Sequence, residues 1–117
     1  MIVGALFGFF AVAIGAFGAH ALRDSMSEYG HAVFQTGWHY HMAHTLVLLI
    51  IPLIGFSEQQ TKILIALFAT GILIFSGTLY ILGITEMRWL GAITPIGGTL
   101  LLIGWGYLVY LCWRGVS

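Results

Sequence analysis

ILIALFATGILIFSGTLYILGIT, residues 63–85, is a run that contains no charged side chain. A membrane-spanning helix needs about 20 mostly apolar residues, and one charge at mid-bilayer costs about 2.5–3.5 kcal/mol on insertion scales. Residues 1–22, 38–56 and 89–113 are equally free of charge, and the charged residues lie at the ends of these runs. The sequence therefore predicts an all-α four-helix transmembrane bundle, with spans at about 1–22, 38–56, 61–84 and 95–113.

The composition also predicts a membrane protein. Hydrophobic residues make up 60% of the 117 residues and charged residues 7%, against about 25% in a soluble domain. A small protein has a large surface for its volume and needs more polar side chains than this to stay in water. The net charge is zero, which argues against a nucleic-acid partner, and the single Cys112 cannot form an internal disulfide. We expect one integral membrane domain, residues 1–117, surrounded by the lipid bilayer.

The first two spans have distinctive ends. No basic region follows Met1, so we expect residues 1–22 to be a retained span rather than a cleaved signal peptide. Ser25 and Glu28 have the spacing of a capping box, in which a hydroxyl and a carboxylate satisfy free amides at a helix start. Residues 25–37 mix apolar and polar side chains and predict a short amphipathic helix in the membrane interface; an ordinary loop is the alternative.

The later connections carry local signals of helix ends. Gly55 is a candidate C-cap, and Ser57 and Gln60 repeat the capping-box spacing, which predicts a tight hairpin between spans two and three. Thr94 followed by Pro95 predicts an N-cap with proline at the first helical position. Residues 86–93 are then expected to be a loop.

Four crossings place both termini and the turn at 57–62 on one side, side A, and the connections 23–37 and 86–93 on the other, side B. Basic residues are divided two against two between these sides, so the positive-inside rule assigns no orientation. Frequent small residues within the spans predict closely packed helices. The Trp and Tyr residues are typical of aromatic belts at the interfaces; they are Trp38, Tyr40, Trp89, Trp105, Tyr107, Tyr110 and Trp113.

Polar residues of all four spans are expected in the half of the bundle nearest side B. His20 ends the first span, while His41 and His44 lie one to two turns into the second and share a helix face. Polar side chains within a membrane are unfavourable and tend to face the bundle interior, where they find partners. We therefore predict a polar cluster around His20, His44 and Tyr80, with His41, Ser76 and Thr94 nearby.

Three interpretations of this cluster remain open. The first is a metal or haem site built from histidines, although no cysteine or carboxylate completes a recognised ligand spacing. The second is a pathway for a proton, an ion or a small molecule through His20, His44 and Tyr80. The third, which we favour, is that these groups hydrogen-bond one another and fix the helix register. No paired carboxylates, catalytic triad or phosphate loop is evident, so we assign no catalytic residue, metal or cofactor.

Five motifs carry a resemblance to a known family. They are GAFGAHAL at 15–22, Tyr40 with His44, FSGTLY at 75–80, TPIGG at 94–98 and GW at 104–105. With them the chain resembles the membrane family of domain of unknown function 423, the transmembrane protein 256-like proteins. The resemblance implies a small multi-spanning protein of bacterial inner membranes or related organelle membranes, with no established activity.

The resemblance also separates the histidines. His20 and His44 lie in the matching motifs, whereas His41 stands where such proteins often have a glutamine, and His31 and His39 lie outside the motifs. His20 and His44 are therefore the favoured pair. We expect a non-enzymatic accessory or assembly partner that contacts another membrane protein or a second copy of itself. A small transporter or pore component is the alternative, and a haem- or metal-binding membrane protein is the third.

Overall fold

The computed structural model describes residues 1–115, which form four long helices. A short 3₁₀ helix, Arg88–Ala92, precedes the last of them. Each long helix is long and apolar enough to cross a membrane. The predicted all-α fold with four spans is confirmed; the helices are α1 (Ile2–His20), α2 (Glu28–Ile54), α3 (Glu58–Thr85) and α4 (Thr94–Arg114).

The separate interfacial helix predicted between the first two spans is wrong, because this segment is the beginning of α2. The N-cap of α2 is Ser27, whose hydroxyl accepts from the Gly30 amide at 3.0 Å. Ser25, predicted to cap the helix, donates instead to the Leu22 carbonyl at 3.2 Å. Packing keeps the helix continuous: a Cβ on Gly30 would collide with the carbonyl oxygen of Gly83, so α2 and α3 lie backbone to backbone here.

The length of α2 changes the depth of its side chains. Its 27 residues rise about 1.5 Å each, which gives about 40 Å, whereas the hydrocarbon core is about 30 Å thick. α2 is therefore longer than the hydrocarbon core is thick. His41 stands at the midpoint of the helix.

The predicted hairpin between α2 and α3 is confirmed in its local chemistry. Gly55 ends α2 with a φ of 99°, a left-handed conformation that glycine adopts without a steric penalty. Ser57 and Gln60 then form the reciprocal capping box, at 3.2 Å and 3.0 Å. Both signals are local, and both act as predicted.

The start of α4 differs from the prediction. Ile93 is the N-cap, and Thr94 is already the first helical residue. The Thr94 hydroxyl donates back to the Leu90 carbonyl in the 3₁₀ helix at 3.1 Å, so this hydroxyl is engaged with the preceding turn rather than capping the helix ahead. Pro95 is then the second helical residue, one position later than predicted.

The helices pack in chain order as an open row. α2 packs against α1 and α3, and α3 also packs against α4; within residues 1–115, α1 has extensive contacts with α2 alone. Glycines bring the backbones together: a Cβ on Gly71 would lie 2.6 Å from Leu101, and one on Gly4 would lie 2.9 Å from Leu49. The main core lies between α2, α3 and α4 towards side A; its buried members are Leu48, Ile51, Leu64, Phe68, Ile72, Leu101 and Leu111.

Candidate functional site

The imidazole of His41 joins three helices at the centre of the molecule. Only 4% of this residue is exposed. Its Nε2 lies 2.8 Å from the carbonyl oxygen of Phe7 in α1, and because a carbonyl can only accept, Nε2 is the donor. In the neutral ring Nδ1 is then the acceptor, and it receives the hydroxyl of Tyr80 in α3 at 2.8 Å. One side chain of α2 thus links α1 to α3.

Two further side chains donate to backbone carbonyls of a neighbouring helix. Nε1 of Trp38, one turn before His41, donates to Ala11 of α1 at 2.7 Å. The Ser76 hydroxyl of α3 donates to Gly37 of α2 at 2.6 Å. These carbonyls use a second lone pair, so the contacts add to the helical hydrogen bonds. Such donors pin neighbouring helices in register.

His44 faces α4 and has separate partners. Its Nδ1 donates to the Tyr40 carbonyl one turn earlier at 2.7 Å. Its Nε2 accepts from Nε1 of Trp105 at 3.0 Å, and the rings of Trp105 and Phe68 meet edge to face, with centroids 5.5 Å apart. Trp105 therefore joins α4 to α2 across α3.

The sequence predicts Trp38 and Trp105 as members of an aromatic belt and does not indicate their role as donors between helices. An indole N–H within a helix bundle usually finds a hydrogen-bond partner, and this is the signal that could have indicated the role. Trp38 precedes His41 by one turn, so the two lie on the same side of α2 and both reach α1.

The predicted polar cluster around His20, His44 and Tyr80 does not form. His41, Ser76 and Tyr80 come together, His44 pairs with Trp105, and Thr94 pairs with Thr78 at 2.7 Å. His20 is exposed at the end of α1. The six predicted residues thus lie in four separate places, and they are His20, His41, His44, Ser76, Tyr80 and Thr94.

The register of α1 against α2 keeps His20 away from His44. A Cβ on Gly18 would lie 2.6 Å from Phe34, and one on Gly8 would lie 3.4 Å from Thr45. The end of α1 therefore runs beside the first turns of α2. His44, next to Thr45, lies at the level of the opposite half of α1.

An apolar groove of about 410 Å³ lies between α1 and α3, with α2 as its floor. His41 of α2 and Ser76 and Tyr80 of α3 line the groove with their polar atoms bonded inside the bundle, and exposed side chains such as Leu73 form its rim. The groove opens sideways from the bundle, towards the acyl chains of a surrounding membrane. We call it the α1–α3 groove; it is lined by Leu6, Phe7, Phe10, Ile14, His41, Ile72, Leu73, Ser76, Gly77 and Tyr80.

A second cavity, of about 570 Å³, lies at the side-B end of α1 and α2. It contains His20, but neither His44 nor Tyr80, so it does not connect the residues of the proposed transport pathway. We call it the side-B cavity; its polar lining consists of His20, Arg23, His31, Gln35 and Trp38, and Ala19, Met26 and Phe34 contribute apolar walls.

The buried polar groups use their hydrogen-bonding capacity within the bundle. Among residues 1–115, no buried side-chain nitrogen or oxygen lacks a partner. Both ring nitrogens of His41 and of His44 are engaged, and in this part of the chain no three His, Cys, Asp or Glu residues lie close enough together to hold a metal ion. His41 and His44 therefore offer no free ring nitrogen to a metal ion or a haem iron.

Comparison with known proteins finds a matching family and similar bacterial proteins. Residues 14–98 match the family model described as Protein of unknown function (DUF423). A UPF0382 membrane protein of Staphylococcus epidermidis is 46% identical over 110 residues, which cover 93% of this chain and 90% of that protein. A UPF0382 membrane protein of Haemophilus influenzae is 41% identical over 114 residues, covering 97% and 92%. The UPF0382 membrane protein YwdK of Bacillus subtilis is 40% identical over 114 residues, covering 93% and 91%.

No solved structure matches the chain. The four long apolar helices and these bacterial relatives identify an integral membrane protein. The family resemblance carried by the sequence motifs is confirmed: this chain belongs to the DUF423 family of membrane proteins, a family of unknown function.

Proposed function

We propose that the chain is a non-catalytic accessory protein of the membrane, which holds a transmembrane helix of a partner protein in the α1–α3 groove. The observation that carries this proposal is the groove itself. It is about 410 Å³ in volume, almost wholly apolar and open towards the lipid. The helices around it pack as an open row, so α1 and α3 leave it uncovered.

The polar residues beneath the groove support a structural role rather than a chemical one. The ring nitrogens of His41 are hydrogen-bonded to the Phe7 carbonyl and the Tyr80 hydroxyl, and the Ser76 hydroxyl donates to the Gly37 carbonyl. Because these groups are hydrogen-bonded between helices, they keep α1 and α3 at a fixed separation on either side of α2. A groove that is already rigid loses little conformational entropy when a partner enters it.

Small residues on α3 favour a helix as the occupant. A Cβ on Gly77 would have no heavy atom within 4 Å, so this part of the groove is open space. Ser76 lies beside it and is also small. Association of helices within a membrane depends on close packing, and small residues allow two backbones to approach. Gly77 therefore leaves room for the backbone of a partner helix to pack against α3.

Site-specific photocrosslinking in native membranes tests the proposal. A photoreactive amino acid replaces Leu73, which is 64% exposed at the rim of the groove. The matched control replaces Leu102 of α4, which is 72% exposed and lies outside the groove. We expect one discrete cross-linked polypeptide from position 73 and none from position 102.

The other outcomes contradict the proposal. Products with lipid alone at both positions would mean that acyl chains fill the groove. A product that contains only two copies of this chain would mean that the groove binds a second copy of the chain and not a partner protein. Equal yields of one polypeptide from positions 73 and 102 would indicate random contacts in a crowded membrane and not a specific binding site.

A further inference from the structure

The side-B cavity holds an arginine whose charge is not neutralised by the protein. Within residues 1–115 the single ion pair joins Glu58 and Lys62, at 3.0 Å, so no carboxylate lies within 4 Å of the Arg23 guanidinium. The other two arginines have aromatic partners: Arg88 stacks 4.2 Å above the Tyr29 ring, and Arg114 donates to Tyr110 at 3.1 Å. Arg23 has no such partner among the described residues.

The backbone of Arg23 is held in place by α2. Nε2 of His31 donates to the Arg23 carbonyl at 2.6 Å, which ties the connection after α1 to the first turn of α2. The amide of Gln35, one turn further on, also lines the cavity. Neither Asp24 nor Glu28, the nearest acidic residues in the sequence, lines it. The polar lining therefore presents hydrogen-bond donors and a net positive charge.

The cavity changes from polar to apolar as it runs into the membrane. α1 has 19 residues and is about 28 Å long, close to the thickness of the hydrocarbon core. We therefore expect His20, at its end, and Arg23, just after it, at the level of the lipid headgroups. Gly15 and Trp38 lie deeper, and the indole N–H of Trp38 is already bonded to Ala11. Phe34 forms a buried apolar wall between the two levels. The cavity is charged at its opening and apolar inside. It therefore matches the charged headgroup and the hydrocarbon chain of an amphiphile.

We propose that the side-B cavity binds an anionic phospholipid, with its phosphate on Arg23 and the start of an acyl chain along Ala19 and Phe34. A guanidinium forms bidentate hydrogen bonds with a phosphate, and His20 of α1 and Gln35 of α2, which also line the cavity, carry further donor groups. Inorganic phosphate shares the headgroup chemistry but would leave the apolar part of the cavity empty. The site is independent of the α1–α3 groove.

Native mass spectrometry of the full chain in mild detergent tests this site. The wild type is titrated with phosphatidylglycerol, with phosphatidylcholine and with inorganic phosphate. Arg23→Gln removes the charge, and Ala19→Phe narrows the cavity without any change in charge. Arg88→Gln is the matched control, because Arg88 is also on side B but lies outside the cavity. Far-UV circular dichroism establishes that each variant remains helical.

We expect the wild type and Arg88→Gln to bind phosphatidylglycerol equally, and Arg23→Gln to bind it about tenfold more weakly or worse. Ala19→Phe is expected to weaken binding as well. The proposal is overturned if Arg88→Gln loses as much affinity as Arg23→Gln, because the attraction would then be diffuse. It is also overturned if phosphatidylcholine binds equally well, if inorganic phosphate displaces the lipid at equal concentration, or if Ala19→Phe binds like the wild type.

Discussion

The hydroxyl of Tyr80 donates to Nδ1 of His41 over 2.8 Å, and this contact joins α3 to α2. Because Nε2 of the same ring donates to α1, one imidazole contacts both neighbours of α2. The α1–α3 groove lies directly over this contact. The proposed partner site and the internal bracing of the bundle therefore involve the same side chains.

Loss of the His41 imidazole should destabilise the bundle. His41→Ala leaves the Tyr80 hydroxyl without its acceptor and opens a cavity, so we expect the free energy of unfolding to fall by about 2–4 kcal/mol. His39→Ala is the matched control, since His39 is exposed on the same helix, and we expect a change below about 0.5 kcal/mol. Unfolding in mixed micelles, followed by circular dichroism, measures both variants. Equal losses would contradict the bracing role of His41.

The link between Trp105 and His44 can be tested by removing only the indole N–H. Trp105→Phe keeps an aromatic ring against Phe68 but leaves Nε2 of His44 without a donor, and we expect a loss of about 1–3 kcal/mol. The control is Trp113→Phe, because Trp113 is 90% exposed near the end of α4. The same unfolding measurement should detect almost no change there. An unchanged midpoint for Trp105→Phe would show that this hydrogen bond adds nothing to stability.

The contact of α3 with α4 should not tolerate a methyl group at Gly97. Its Cβ would collide with the backbone of Phe75, so the two helices must separate, and we expect Gly97→Ala to be destabilising by about 1–3 kcal/mol. Gly106 on the same helix has open space where its Cβ would stand, and alanine is the better helix former. Gly106→Ala is therefore expected to be neutral or slightly stabilising. Resistance to unfolding in increasing SDS compares the two, and the reverse order would refute the close contact.

The four spans follow from the sequence because each depends on a local property. Charged residues are excluded from the hydrocarbon, so their absence marks the membrane-spanning runs. The end of α2 at Gly55 and the start of α3 at Ser57 depend on residues within one turn. The start of α2 was misplaced because the polar residues after Glu28 resemble an interface segment. They remain helical through backbone contact with α3, as between Gly30 and Gly83, and no local pattern encodes that contact.

The error at the start of α2 explains the error in the site. A span that begins at residue 38 puts His41 and His44 near side B, whereas a helix that begins at Glu28 puts His41 at its midpoint. The partners of these histidines depend on the register between helices, which glycine contacts such as Gly18 with Phe34 determine. A list of polar residues could be predicted from the sequence, but their pairing could not.

Filling the α1–α3 groove tests the central claim most directly. Gly77→Leu places a side chain in open space within the groove, and Gly106→Leu makes the same change on α4, where a Cβ also meets open space. The measurement is the yield of the cross-linked partner from a photoreactive residue at position 73 in native membranes. We predict that Gly77→Leu abolishes the product while Gly106→Leu retains it at the level of the parent. A product that persists in Gly77→Leu, with the protein at normal abundance, would contradict a partner helix in this groove.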